Sequence, residues 1–326
     1  MNPVFDIHSD PRFWSLVVTA ATALLLGWVI TMIASRLGKL SAPVHAELIR
    51  RMRTWAVIIP TVSLPILLGP VALAVGIILL GLLLFGEFAR ATGIQADRSL
   101  GFALLVGFGV IAAAMIRQQY ALLLFSAPLF AALTMAGGLW KDRPAGYLRR
   151  IGCANLGFMI CGVWPAHLGF LAQWTSPALL LWMILAVELN DVFAYLSGKL
   201  LGRRALCPNT SPGKTRGGLI GSLVLTTAFV TLTGILFFGG EPVGEVRLLV
   251  PLGLVLALTG TAGDLILSSI KRDLDLKDLA ESLPGHGGLL DRCDSLVFAA
   301  PVLALSLALI ERLTRFQPEH LHALLP

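Results

Sequence analysis

Charge is what this sequence has least of. Asp, Glu, Lys and Arg make up only 13% of its 326 residues, where soluble domains carry about a quarter. With 56% hydrophobic residues and a mean hydropathy of +0.82, a soluble fold would expose large apolar patches and associate. That excludes a soluble enzyme. The net charge of +6 invites a nucleic-acid partner, but the cations sit in short segments between apolar runs, where membrane orientation signals belong. Polar stretches long enough to fold by themselves are also missing, so the chain reads as one integral membrane domain. Cysteine is scarce and unpatterned. Cys153, Cys161, Cys207 and Cys293 form no CxxC pair and no metal-ligand spacing, and the first two read as packing residues in an apolar run. No internal repeat with a period of roughly 20–50 residues is visible, which argues against a solenoid and an inverted-repeat transporter. The acidic stretch up to Asp10, followed by a full-length apolar run, does not read as a cleavable signal peptide.

What is present is a series of apolar runs. A helix needs about 20 residues to cross a bilayer core, and fewer where it is broken or re-entrant. Ten candidate spans follow, at 13–35, 55–69, 71–86, 100–116, 120–138, 151–172, 177–198, 218–239, 247–269 and 295–311. The second and third are short and punctuated by Pro60, Pro65 and Pro70. The expected fold is an all-α polytopic transmembrane bundle of nine or ten spans, with a polar cavity open to the cytosol. Residues 1–47 form an additional span with its basic loop, and 48–326 the main membrane domain. With the N-terminus outside, the inner segments collect 20 of the 25 Lys and Arg residues. Only Arg12, Arg117, Arg247, Arg312 and Arg315 fall outside, so both termini are expected outside and the polar loops in the cytosol.

Two of those inner loops hold nearly all the unusual residues. Asp264 lies near the end of an apolar run, where a carboxylate is costly unless paired or metal-bound. Ser268, Lys271 and Arg272 follow on the same helical face, a set suited to an anionic headgroup and its metal ion. Pro284, Gly285, His286, Gly287 and Gly288 then require a tight turn whose backbone N–H groups can approach a phosphate. Asp291 and Asp294 share a helix face beyond it, with Arg292 between them, and are oxygen ligands of the kind Mg²⁺ takes. The second loop runs from Glu188, Asn190 and Asp191 through Tyr195 and Lys199 to Ser211-Pro-Gly-Lys214-Thr215. SPGKT suggests a Walker A loop, but Pro208 stands where that loop needs glycine. A basic, glycine-punctuated phosphate-binding loop remains.

These residues resemble a family. The run SxxKRxxxxKDxxxxLPGHGGxxDRxD, Ser268 to Asp294, is similar to the signature of phosphatidate cytidylyltransferases. Asn190, Asp191, Ala194, Tyr195, Gly198, Lys199 and Gly202, then Ser211, Pro212, Lys214, Thr215 and Gly218, resemble the same family's second loop. Arg53-Thr54 before a proline-rich apolar run, with Glu87 at its end, is similar to its N-terminal portion. The resemblance covers 48–311. Val192-Phe193 and Arg216-Gly217 depart from it.

The resemblance implies CTP and phosphatidate as substrates, Mg²⁺ as cofactor, CDP-diacylglycerol and pyrophosphate as products, and a homodimer in a bacterial inner membrane. Asp264 is the expected central metal ligand, with Asp291 and Asp294 supporting it. Lys271, Arg272 and Arg292 are expected to hold phosphates. Asp191, Lys199, Ser211, Lys214 and Thr215 would serve the nucleotide. Ser268, Lys277, Asp278, His286, Gly287 and Gly288 complete the substrate site, His286 chiefly by shaping its turn. A CTP-dependent enzyme acting on another lipid and a membrane transporter are the rival readings.

Orientation is directly testable. Single cysteines placed in 199–217 or 270–294, in a background without the native four, should resist an impermeant thiol reagent in intact cells and react once cells are opened. Labelling of Lys214→Cys in intact cells would overturn the topology.

Overall fold

A backbone in lipid has to satisfy its own hydrogen bonds, so each apolar run closes into a helix. The computed structural model describes residues 10–38, 41–94, 98–139, 142, 144–282 and 287–315. Its helices are α1 (Pro11–Arg36), α2 (Ala42–Leu67), α3 (Pro70–Thr92), α4 (Arg98–Ile116), α5 (Tyr120–Leu139), α6 (Tyr147–Phe158) and α7 (Trp164–Trp174). They continue with α8 (Pro177–Leu201), α9 (Arg216–Phe238), α10 (Val246–Asp273) and α11 (Leu290–Arg315). A π-helical turn, Met159–Val163, joins α6 to α7 into one rod, Tyr147–Trp174. Among the described residues eight such helices are long and apolar enough to cross a membrane. The apolar part of α4, Leu100–Ile116, is shorter, and α2 carries charged residues in its N-terminal half. The all-helical membrane bundle expected from the sequence is therefore what forms.

The boundaries have local causes. Asp10 accepts from the Arg12 backbone N–H (3.0 Å) at the start of α1, and Ser176 from the Leu179 N–H (3.2 Å) at the start of α8. Proline opens α1, α3 and α8, where its missing donor is harmless. The expected short span 55–69 is the second half of a 26-residue α2, which runs through Pro60 and Pro65. The chain breaks instead at Gly69, whose φ of 98° suits glycine, just before Pro70. The π-turn precedes Pro165, which has no N–H to offer the Cys161 carbonyl four residues back. That carbonyl packs against α3 at Gly81, where a Cβ would come within 2.5 Å of it.

Helix α8 is the axis of the C-terminal half. Its first turns, Leu179 to Ile184, are buried on every side, as befits a helix apolar all round, and it packs on α9, α10, α11 and α1. Trp182, fully buried, donates its indole N–H to Thr233 of α9 (2.8 Å). Where α8 turns polar, Asn190 bridges three helices: it accepts from Thr226 of α9 (3.0 Å) and donates to Thr261 of α10 (3.3 Å). Between α8 and α9 the chain forms a small antiparallel hairpin, β1 (Ala205–Cys207) with β2 (Ser211–Thr215), a feature the all-α reading had as open loop.

Asn190→Ala should remove both interhelical hydrogen bonds. Such bonds contribute on average about 0.6 kcal/mol each in membrane proteins, so a loss of about 1 kcal/mol is expected in detergent unfolding. An unchanged stability would show that the bridge contributes nothing.

Candidate active site

Three helix ends and the hairpin meet at one end of the bundle. Asp264 of α10 is the hinge of the arrangement. Its Oδ1 accepts from Ser268 Oγ (3.2 Å), one turn on, and its Oδ2 is met by Lys214 Nζ of β2 (2.5 Å). Gly263, just before it, lies so close to α11 that a Cβ would sit 2.8 Å from the Asp294 carbonyl and 2.8 Å from Phe298 Cβ. The missing side chain lets α10 and α11 approach and brings Asp264 beside Asp294. Asp294 is buried and accepts from the backbone N–H of Ser295 (2.7 Å), whose hydroxyl donates to Asp191 Oδ2 on α8 (3.1 Å). Asp191, Asp264 and Asp294 lie within electrostatic range of one another, with Lys214 acting on Asp191 and Asp294 as well. Arg292 of α11 lies within electrostatic range of Asp191 and Glu188.

A second acidic group stands apart from this one and organises the segment before α11. Asp291, expected as a metal ligand, has both oxygens engaged. Lys271 Nζ donates to Oδ1 (2.8 Å), and the N–H groups of Leu279 and Gly288 donate to Oδ2 (2.9 and 3.0 Å). Lys271, expected at a phosphate, is thereby directed inward; its side chain and that of Asp291 are 11% and 2% exposed. Glu87 of α3, 3% exposed, accepts from the N–H groups of Leu289 and Leu290, both at 2.9 Å. The backbone donors of 288–290 thus bind the protein's own carboxylates, whereas the sequence had offered the Gly288 donor to phosphate.

The remaining expected residues sort by position. Arg272 braces the hairpin: its guanidinium donates to the Thr210 carbonyl (3.3 Å) and to the Leu276 carbonyl (2.6 Å). Thr215 is the N-cap of α9, accepting from Gly218 N–H (3.0 Å), and Ser211 pairs with Cys207 across the hairpin. The Lys199 ammonium lies 4.6 Å above the exposed Tyr195 ring, not among the acids. Lys277 and Asp278 are exposed beyond α10, with Asp278 against Gly287 (φ 78°). His286 lies outside the described residues, as do the side chains of Arg53 and Thr54. Lys214, expected at the nucleotide, is in contact with Asp264 of α10. Sequence reasoning left Glu87 out of the site, and Ser295 unremarked. The signal for Glu87 was present, since it is an acid closing an otherwise apolar span.

Acids and a lysine converging at one end of a helical membrane bundle make a charged site in an integral membrane protein. The particular class follows from comparison. The chain belongs to the cytidylyltransferase family, whose model matches residues 49–310, and is a membrane-embedded nucleotidyltransferase. The uncharacterized protein YnbB of Escherichia coli (strain K12) is 33% identical over 269 residues, 78% of this chain and 86% of that protein. Phosphatidate cytidylyltransferase of Mycobacterium leprae (strain TN) is 43% identical over 129 residues, 39% of this chain and 40% of that protein. The enzyme of that name from Bacillus subtilis (strain 168) is 43% identical over 124 residues, 37% of this chain and 44% of its own length. The alignments to these two named enzymes thus cover less than half of each.

The Lys271–Asp291 pair carries a stability prediction. Lys271→Met leaves a buried carboxylate without its cation, and breaking a buried pair in this way costs about 3–5 kcal/mol. Thermal unfolding of the purified variant should show a clear drop in melting temperature. An unchanged melting temperature would mean that the pair does not hold the segment.

Proposed function

We propose that the protein transfers the cytidylyl group of CTP to phosphatidate, forming CDP-diacylglycerol and pyrophosphate. The observation that carries this reading is the convergence of Asp191, Asp264 and Asp294 with Lys214 at one end of the span bundle. Family membership supports cytidylyl transfer, and the two relatives named phosphatidate cytidylyltransferase support the lipid acceptor. The charge distribution supports a cytosolic site with both termini outside, and the bacterial relatives support a bacterial plasma membrane.

The chemistry asks little of a general base, because the acceptor phosphate is already anionic at neutral pH. One of its oxygens attacks the α-phosphorus of CTP in line. The bond from that phosphorus to the oxygen bridging the β-phosphate breaks, and the electron pair leaves with pyrophosphate. The protein's work is to neutralise and align negative charge. Lys214 does so as a point charge on a short hairpin, held where Arg272 fixes the Thr210 carbonyl. Arg292 of α11 lies within electrostatic range of Asp191 and of Glu188. Ser268 orients Asp264, and Ser295 orients Asp191.

Mg²⁺ suits the donor set. Three carboxylates stand near one lysine, all their donor atoms are oxygen, and Mg²⁺ is commonly held by one or two carboxylates with waters and substrate phosphates. Among the described residues no three ligating side chains stand close enough to hold an ion alone, so a protein-only cage is not what these residues offer. Asp264 with Asp191 or Asp294 would hold the ion, and the ion would neutralise triphosphate charge. Asp291, occupied by three donors, falls outside that set.

The test is incubation of purified protein with labelled CTP, Mg²⁺ and a panel of lipid acceptors. Label in CDP-diacylglycerol with matching pyrophosphate release is expected. Label on a polyprenyl or ether-lipid product would reassign the acceptor, and absence of CTP-dependent pyrophosphate would remove the reading. Asp264→Asn keeps the shape and removes a charge, so turnover per folded molecule should fall at least about 100-fold while the protein still inserts and purifies.

A further inference from the structure

The signature loop and the start of α11 are held by an acid from far away in the sequence. Glu87 lies 202 and 203 residues from the two backbone donors it binds. Its carboxylate reaches from the end of α3, one oxygen to Leu289 N–H and the other to Leu290 N–H, both at 2.9 Å. Those are among the donors that the first turn of a helix leaves without an internal partner, and the positive end of the helix dipole favours an anion there. Gly288 sits between two carboxylates: a Cβ on it would lie 2.9 Å from Glu87 Oε2 and 2.9 Å from Asp291 Oδ2. Glu87 therefore closes on a segment that only a residue without a side chain lets it approach.

Downstream, the register of that first turn decides where three side chains point. Arg292 follows Leu290 by two residues and Asp294 by four, a full turn on, and Ser295 carries the hydrogen bond to Asp191. A slip or rotation of the helix start would move all three against Asp264. We propose that Glu87 is a positioning residue for cytidylyl transfer: by binding Leu289 and Leu290 it fixes the start of α11, and with it the placement of Arg292 near Asp191 and of Asp294 beside Asp264. This makes α3, from the opposite half of the chain, part of the machinery, although it presents no group to substrate. The inference rests on the cytidylyl-transfer reading of the site.

The experiment compares wild type, Glu87→Gln and Glu87→Asp as full-length purified protein, by amide hydrogen exchange and by steady-state kinetics with CTP and phosphatidate. Glu87→Gln keeps the size but puts an amide N–H₂ against a backbone donor, and Glu87→Asp keeps the charge on a shorter arm. In Glu87→Gln, amides 289–292 should exchange about 10- to 100-fold faster, as expected for loss of a charged hydrogen bond, while residues 297–304 of α11 keep their protection. The kcat should fall by about 100-fold, as a displacement on the ångström scale produces, with KM for CTP unchanged. Glu87→Asp should recover part of both effects, and it serves the comparison by itself if Glu87→Gln does not purify. A wild-type kcat in a folded variant would overturn the proposal. So would exchange that rises evenly across all helices together with a lowered melting temperature and no loss of kcat per folded molecule. If wild type shows no cytidylyl transfer, the functional reading fails, and unaltered exchange at 289–292 would separately refute the anchor.

Discussion

A carboxylate brought to the end of a membrane-spanning helix has to be met by a donor or a cation, and the polar end of this molecule is organised by meeting such groups. Burying an unpaired charge is expensive in lipid, so each acid fixes whatever satisfies it. Asp264 holds the hairpin through Lys214, Asp191 holds α11 through Ser295, and Glu87 holds the first N–H groups of α11. Asp291 holds the segment between α10 and α11 at two points, Leu279 and Gly288, and ties it to Lys271 of α10. The loops that look loose in the sequence are tied to the bundle by these bonds.

The acids fall into two groups with different freedom. Glu87 and Asp291 are saturated by backbone donors and a lysine, so they shape the protein. Asp191, Asp264 and Asp294 are met chiefly by side chains, Lys214 and the hydroxyls of Ser268 and Ser295, with the Ser295 N–H on Asp294. Excess negative charge collected at one place is what a triphosphate-binding site needs if a divalent cation arrives with its substrate. The rest of the bundle makes that collection possible. Gly263 lets α10 touch α11, and Asn190, next to Asp191, ties α8 to α9 and α10 with neutral hydrogen bonds.

Much of this was legible in the sequence. Apolar runs report helices in lipid because the bilayer leaves the backbone no other partner, and so the helical fold could be read from hydropathy alone, although eight of the described helices, and not ten, are long and apolar enough to cross a membrane. The acids were legible because a charge near a span is rare enough to stand out. Their partners were harder to read. Ser268 and Asp264 are four residues apart on one helix and could be paired by counting. Lys214 and Asp264, Lys271 and Asp291, and Glu87 and Leu289 are 50, 20 and 202 residues apart, and helical periodicity says nothing at those separations.

The sequence by itself determined that the chain is a helical membrane protein and where along it charge gathers, because these depend on composition and on local hydropathy. Only the tertiary structure decided which acids share a site and which serve the scaffold. Whether a carboxylate faces a lysine, three backbone donors or another carboxylate depends on how helices cross, and that is set by the packing of α8, α10 and α11 rather than by any residue's neighbours in the chain.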